Sequence, residues 1–147
     1  MREFSTMLSK TALISIRPEH AEKILSGEKR LEFRRSWATQ PLERLLIYST
    51  APRQQIVAVA TIKRTIVGSP TALWASARRI GGGITRSQLF RYLRGTRKAV
   101  ALELSEITPF GDGIGPSTIF GHGFRAPQSF RYFREHEEAK LDRMIGK

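Results

Sequence analysis

The stretch Ile24-Leu25-Ser26-Gly27-Glu28-Lys29-Arg30-Leu31-Glu32-Phe33-Arg34-Arg35 changes period at its glycine, and that change decides how the whole chain is read. Before Gly27, Ala21, Ile24 and Leu25 share one face at helical spacing. After it, Leu31 and Phe33 alternate with Arg30, Glu32 and Arg34, the period of a half-buried strand. Arg17-Pro18 opens the helix with proline at its first position, Glu19 and Glu22 suit its first turns, and Gly27 is placed to end it. Ala12-Leu13-Ile14-Ser15-Ile16, just upstream, reads as a buried strand. The glycine turn then sets Lys29, Glu32 and Arg34 at one rim, with Glu32 and Arg34 on the same strand face. Two cations flanking a carboxylate suit a phosphate or a base edge. The same residues also make an ordinary surface ion cluster of little energetic weight.

Working outward, Arg44 to Thr50 and Gln55 to Ile66 are β-type runs broken by Ala51-Pro52, so three successive strands predict an antiparallel sheet. Ser69-Pro70 marks a helix start, with Leu73, Trp74 and Ala77 facing inward until Gly81-Gly82-Gly83. Thr85 and Gln88 form a capping box for a second helix carrying Leu89, Phe90 and Leu93 and ending at Gly95. The three glycines lack the Lys-Ser or Lys-Thr of a phosphate-binding P-loop and read as a flexible turn. Ala99 to Ile107 returns to strand, and the Gly-, Pro-, Ser- and Thr-rich run 109–123 reads as a loop whose order is left open. Residues 1–10 form a lead-in, 11–133 one domain, and 134–147 a charged tail, expected to be a solvated helix or a frayed end.

Charge narrows the function. Across 147 residues, 25 Lys and Arg stand against 13 Asp and Glu, a formal net charge of +12. A surface this positive favours a polyanionic partner. Arginines outnumber lysines 18 to 7, a bias toward planar bidentate phosphate contacts and base stacking. The absence of cysteine excludes disulfides, thiolate zinc sites and a cysteine nucleophile, and fits a reducing, cytoplasmic setting. No apolar run approaches the ~20 residues of a membrane span. His20, His122 and His136 are widely separated, with no carboxylate at metal-ligand spacing, so neither a catalytic metal nor another cofactor is expected.

The Gly27, Lys29, Glu32, Arg34 pattern resembles the G-x-K-x-x-E-x-R signature of ASCH domains. Flanking segments also resemble a bacterial and archaeal ASCH-like subgroup over about residues 11–133: Ile14 to His20, Ile47 to Thr50, Gly68 to Trp74 and Pro127 to Tyr132. The resemblance implies a mixed α/β, PUA-like β-barrel of five or six mostly antiparallel strands, with a helical insertion around residues 69–95. It also implies work in RNA metabolism. The expected groove is lined by Lys29, Glu32, Arg34 and Arg35, with Tyr48 and Ser129 nearby, and RNA is favoured over DNA.

Some ASCH relatives are amidohydrolases acting on modified cytidine through a lysine and a threonine three positions later. Lys29 matches, but Glu32 stands where the hydroxyl nucleophile belongs. The better enzymatic alternative is metal-independent RNA cleavage, which needs a general base, a proton donor and cations around a phosphorane. Lys29, Glu32, Tyr48 and Ser129 are its candidate catalytic groups. A regulator binding DNA or a modified nucleotide is a third reading. Phosphate contacts are expected from Arg17, Lys29, Arg34, Arg35 and Arg53, from the every-third-residue stripe Arg91, Arg94 and Arg97, and from Arg125 and Arg131. Oligomeric state is not legible.

Overall fold

The computed structural model of the chain describes residues 9–146. In chain order it contains β1 (Thr11–Ile16), α1 (Pro18–Ser26), β2 (Leu31–Arg34), β3 (Arg44–Ser49), β4 (Gln55–Gly68), α2 (Pro70–Ser76), α3 (Arg86–Tyr92), β5 (Ala99–Ile114), α4 (Ser117–Phe120), β6 (Phe130–Tyr132) and α5 (Glu135–Met144). Local signals act as read. Gly27 takes φ +86° beyond α1, the Ser69 hydroxyl accepts from Ala72 N–H to cap α2, and Thr85 and Gln88 cap α3 reciprocally. A π-helical turn, Ala77–Gly81, extends α2 before the glycines stop it.

The six strands form one sheet in the order β2-β5-β4-β3-β1-β6. Four of the five pairings are antiparallel, and β1 runs parallel to β3 because α1 and β2 make a crossover between them. The predicted, mostly antiparallel sheet forms, but its order does not follow the chain: β2 and β3 are consecutive in sequence, yet β2 pairs with β5 at the far edge.

This sheet is curled. Flat, β2 and β1 would stand about 19 Å apart at ~4.8 Å per strand. An Arg34 guanidinium nitrogen on β2 nonetheless donates to the Ser15 carbonyl of β1 at 2.8 Å, and its neighbour reaches Ser129 Oγ at 3.3 Å. A single side chain thus bridges the two ends of the sheet, giving the barrel-like α+β form a seam that side chains close.

Alternation along the strands builds three apolar layers. Ile14, Leu45, Ile47, Ala58 and Leu102 pack with Ala21 and Ile24 of α1. Leu13, Leu46, Ile56 and Val59 face Ile119, Phe133 and Leu141. Leu31, Phe33 and Ala101 lie under Leu73, Leu89 and Leu93 of the helical insertion.

Two expectations change. Strand β5 runs to Ile114, so the loop read over 109–123 begins as strand and continues through α4. Pairing of Ala58 with Pro109 and Ile56 with Ile114 overrides the turn-forming composition there. The charged segment from residue 134 is helical but not simply solvated: Leu141 and Glu137 are buried. Glu138 accepts from the backbone N–H groups of Lys10 and Thr11 at 2.8 and 2.9 Å and pairs with Arg44 at 3.0 Å. Most of the lead-in, residues 1–8, lies outside the described residues.

Candidate functional site

Alternation in β2 sends Leu31 and Phe33 into the insertion layer and leaves Glu32 and Arg34 on the opposite face, at the seam. Arg34 Nε and Nη2 both approach one Glu32 carboxylate oxygen, at 3.1 and 3.0 Å, while its other contacts hold Ser15 and Ser129. Ser129 is held in turn, because its carbonyl accepts from Ser15 N–H at 3.0 Å and the Ser15 hydroxyl donates to the Pro127 carbonyl at 2.7 Å.

Lys29 enters from the turn after α1. Its ammonium donates to the Gly82 carbonyl at 2.8 Å and stands 4.9 Å from the centre of the Phe33 ring. Burial holds it below its ordinary titration range, an effect Glu32 partly offsets. The glycine run, expected to be a flexible turn, is a fitted seat. A β-carbon on Gly83 (φ +63°) would lie 2.7 Å from Lys29 Cβ, and Arg30 N–H bonds the Gly81 carbonyl at 2.8 Å. The sequence signal for this role is only the run of three glycines, since nothing local links them to a lysine some fifty residues earlier.

Nothing in the sequence around His20 points to a catalytic part for it. It faces this cluster from α1, and its buried Nδ1 has no hydrogen-bond partner among the described residues. Burial first, then the Lys29 charge, lowers its pKa below the ordinary 6.5, with Glu32 acting the other way. On acidification the unfolded chain therefore protonates this imidazole before the folded one does. Its stabilising contribution is complete above pH 6.5 and is lost as pH falls through the lower folded value. Urea midpoints at pH 7.5 and 5 should differ less in His20→Gln than in the unaltered protein; equal differences would remove His20 as a source of the acid sensitivity.

The structure thus joins Glu32, Arg34 and Ser129 by hydrogen bonds, with the Lys29 ammonium within electrostatic reach of Glu32 and Arg34 but bonded to neither among the described residues. The groups are recessed: Lys29 is 3% and Glu32 7% exposed. Tyr48 stands elsewhere. Although it pairs in register with Ser15, its ring joins the other layer against Phe124, 5.3 Å between centres, and lines a separate hollow of about 460 Å³ with Gln54, His122 and Ala126. Burial raises its phenol pKa.

The expected phosphate-contacting arginines divide into two sets. Arg35 does not line the groove, because its guanidinium ties β2 to the end of α3 through the Tyr92 and Arg94 carbonyls, both at 2.9 Å. Arg53 is engaged by Glu22, Gln55 and the Asp112 carbonyl. Arg131 is clamped on Glu137 by two bonds of 3.0 and 2.9 Å and lies over Phe120. Arg17 and Arg125 are exposed at the start of α1 and between α4 and β6, and Arg91, Arg94 and Arg97 are exposed on and after α3. Among the described residues, no three of His, Cys, Asp and Glu gather as a metal site, and no helix is long and apolar enough to cross a membrane.

No family model matches the chain. It is similar to the ASCH domain-containing ribonuclease of Zymomonas mobilis, 32% identical over 134 residues and 90% of each chain. The crystal structure of ASCH from Zymomonas mobilis superposes with a TM-score of 0.81, at 32% identity, over 92% of this chain and 95% of that one. A variant of the same protein with a tyrosine replaced by phenylalanine gives 0.81 at 31% identity, over 92% of this chain and 98% of that one. A further variant, with a serine replaced by alanine, also gives 0.81. With such identity along nine-tenths of both sequences, and with the two folds superposing over the same extent, this chain belongs to the ASCH domain family.

Proposed function

We propose that this ASCH domain binds RNA, in preference to DNA, at the seam where Glu32, Arg34 and Ser129 meet near Lys29. The observation that carries the reading is that Lys29, within electrostatic reach of Glu32 and Arg34, has three donors and uses one, toward Gly82, among the described residues, while Arg34 meets the Ser129 hydroxyl at the seam. Two recessed cations able to donate suit a phosphate, and a 2′-hydroxyl beside them is the group that tells RNA from DNA. The net charge of +12 supplies the long-range attraction.

Lys29→Met keeps the buried stem and removes the charge and the donors. Binding of fluorescein-labelled single-stranded RNA should weaken about tenfold or more, the scale of a lost charge-assisted hydrogen bond. Circular dichroism should show the fold retained. Unchanged affinity in a folded Lys29→Met protein would remove the seam as the site, and equal binding of matched DNA would remove the preference.

A second reading, metal-independent RNA cleavage, is favoured by the name of the Zymomonas relative, a ribonuclease, and by the unpartnered His20 Nδ1. Imidazole held neutral near pH 7 suits a general base for the 2′-hydroxyl, with Lys29 and Arg34 beside the developing phosphorane charge. Variants of that relative exchange a tyrosine and a serine, the residue types that Tyr48 and Ser129 offer here. Product formation in the presence of chelator, slowed in His20→Gln with binding retained, would establish it.

A further inference from the structure

The positive charge is not spread evenly along the chain. From Arg44 to Leu102 there is no aspartate or glutamate, and the insertion between Ser69 and Lys98 holds six arginines and one lysine. Seven of the twelve net charges thus sit on two short helices and the turn after them. The strands and α5 carry mixed charge: Arg44, Arg53, Arg64 and Arg131 all meet carboxylates. Among the described residues, none of Arg86, Arg91, Arg94 or Arg97 does. Self-repulsion among such cations is unfavourable unless an anion relieves it.

These four arginines line a hollow of about 970 Å³ between the start of α2 and the α3 end. Its floor is built: Leu93 is fully buried, and the half-buried Phe90 ring carries the Arg86 guanidinium 4.3 Å from its centre. A guanidinium held over a ring keeps N–H donors for a phosphate and a cationic surface for a base.

The hollow is also joined to the seam. Arg35, next to Arg34 on β2, is bonded to the carbonyls of Tyr92 and Arg94. Tyr92 stands at that junction, 41% exposed, with its phenol within the electrostatic influence of both Glu32 and Arg34. An exposed tyrosine between two cationic sites is a natural stacking platform, since every base offers a π-face.

We infer that the arginine-lined hollow of the helical insertion is a second RNA site, in which Arg91, Arg94 and Arg97 hold the backbone of the strand engaged at the seam and Tyr92 stacks a base between the two. This rests on the RNA-binding reading. It makes the footprint longer than the seam alone, on the scale of the roughly 4–16 nucleotides a single-strand groove covers.

The test compares a trinucleotide with a twelve-nucleotide single-stranded RNA across a salt series, using the full chain. Replacing Arg91, Arg94 and Arg97 together by serine removes exposed side chains and should leave the fold unchanged by circular dichroism. For the twelve-mer, affinity should fall about tenfold or more, and the slope of log K against log salt should become shallower by about 2, three phosphates at ~0.7 each. Trinucleotide affinity should change little. Tyr92→Ala should weaken the twelve-mer about tenfold and Tyr92→Phe hardly at all. Lys10, Lys140 and Arg143 replaced together by serine, the same loss of charge elsewhere, should leave the slope nearly as it was.

If the insertion triple variant keeps its slope, or loses it no more than the control, the second site is wrong while the seam stands. Should the unaltered protein bind neither RNA, the RNA-binding reading itself fails. A twelve-mer lost in the insertion variant but unaffected by Lys29→Met would leave the hollow as the principal site and overturn the two-site arrangement.

Discussion

Arg34→Ala is expected to lower the free energy of unfolding by about 3–5 kcal/mol, the scale for removing one partner of a buried pair. The Arg34 and Glu32 side chains are 11% and 9% exposed, so solvent does little to screen the loss. Truncation leaves the Glu32 carboxylate recessed without its cation and takes donors from the Ser15 carbonyl and Ser129 hydroxyl. It also removes a bridge between ends of the sheet that no ladder of strand hydrogen bonds joins. Urea unfolding should show a much lower midpoint, and replacing Glu32 and Arg34 together by methionine should recover part of it, because no unpaired charge is then left. A midpoint unmoved in Arg34→Ala would mean that the seam is held by other contacts.

Gly83→Ala should cost about 2–4 kcal/mol, from a left-handed conformation that an L side chain resists and from overlap with Lys29. The added β-carbon would meet Lys29 Cβ at 2.7 Å and its Cα at 3.1 Å, atoms that cannot swing aside as a side-chain tip can. Gly95→Ala is the control. Its φ is also positive, +80°, but nothing lies within 4 Å, so only the conformational cost of about 1–2 kcal/mol remains. Because Gly83 also fixes where Lys29 lies, Gly83→Ala should weaken RNA binding beyond its effect on stability. Thermal unfolding and RNA titration of both variants separate the two effects. Equal behaviour of the two would show that Lys29 does not depend on the glycine seat.

Local chemistry was legible from residue order. Proline at the start of α1 and α2, Gly27 beyond α1 and the Thr85–Gln88 box are satisfied within a few residues of chain, so no knowledge of the fold is needed to place them. The alternation Leu31, Glu32, Phe33, Arg34 likewise announced a strand with one polar face. Strand order was not legible, because pairing β2 with β5 rather than with β3 depends on which apolar faces can be covered together.

The same division runs through the site. Sequence alone determined that Glu32 and Arg34 share a strand face, since a two-residue period puts them there whatever surrounds them. It also fixed the acid-free insertion as the most cationic part of the chain. Tertiary structure decided which cations are available to a ligand. Arg35, Arg53 and Arg131 are bound to carbonyls and carboxylates brought from distant segments, Lys29 is seated by glycines that follow it by some fifty residues, and Tyr48 is turned into another layer. Charge is a property of a side chain, whereas a free hydrogen-bonding capacity belongs to its neighbours, and those neighbours are chosen only when the sheet curls shut.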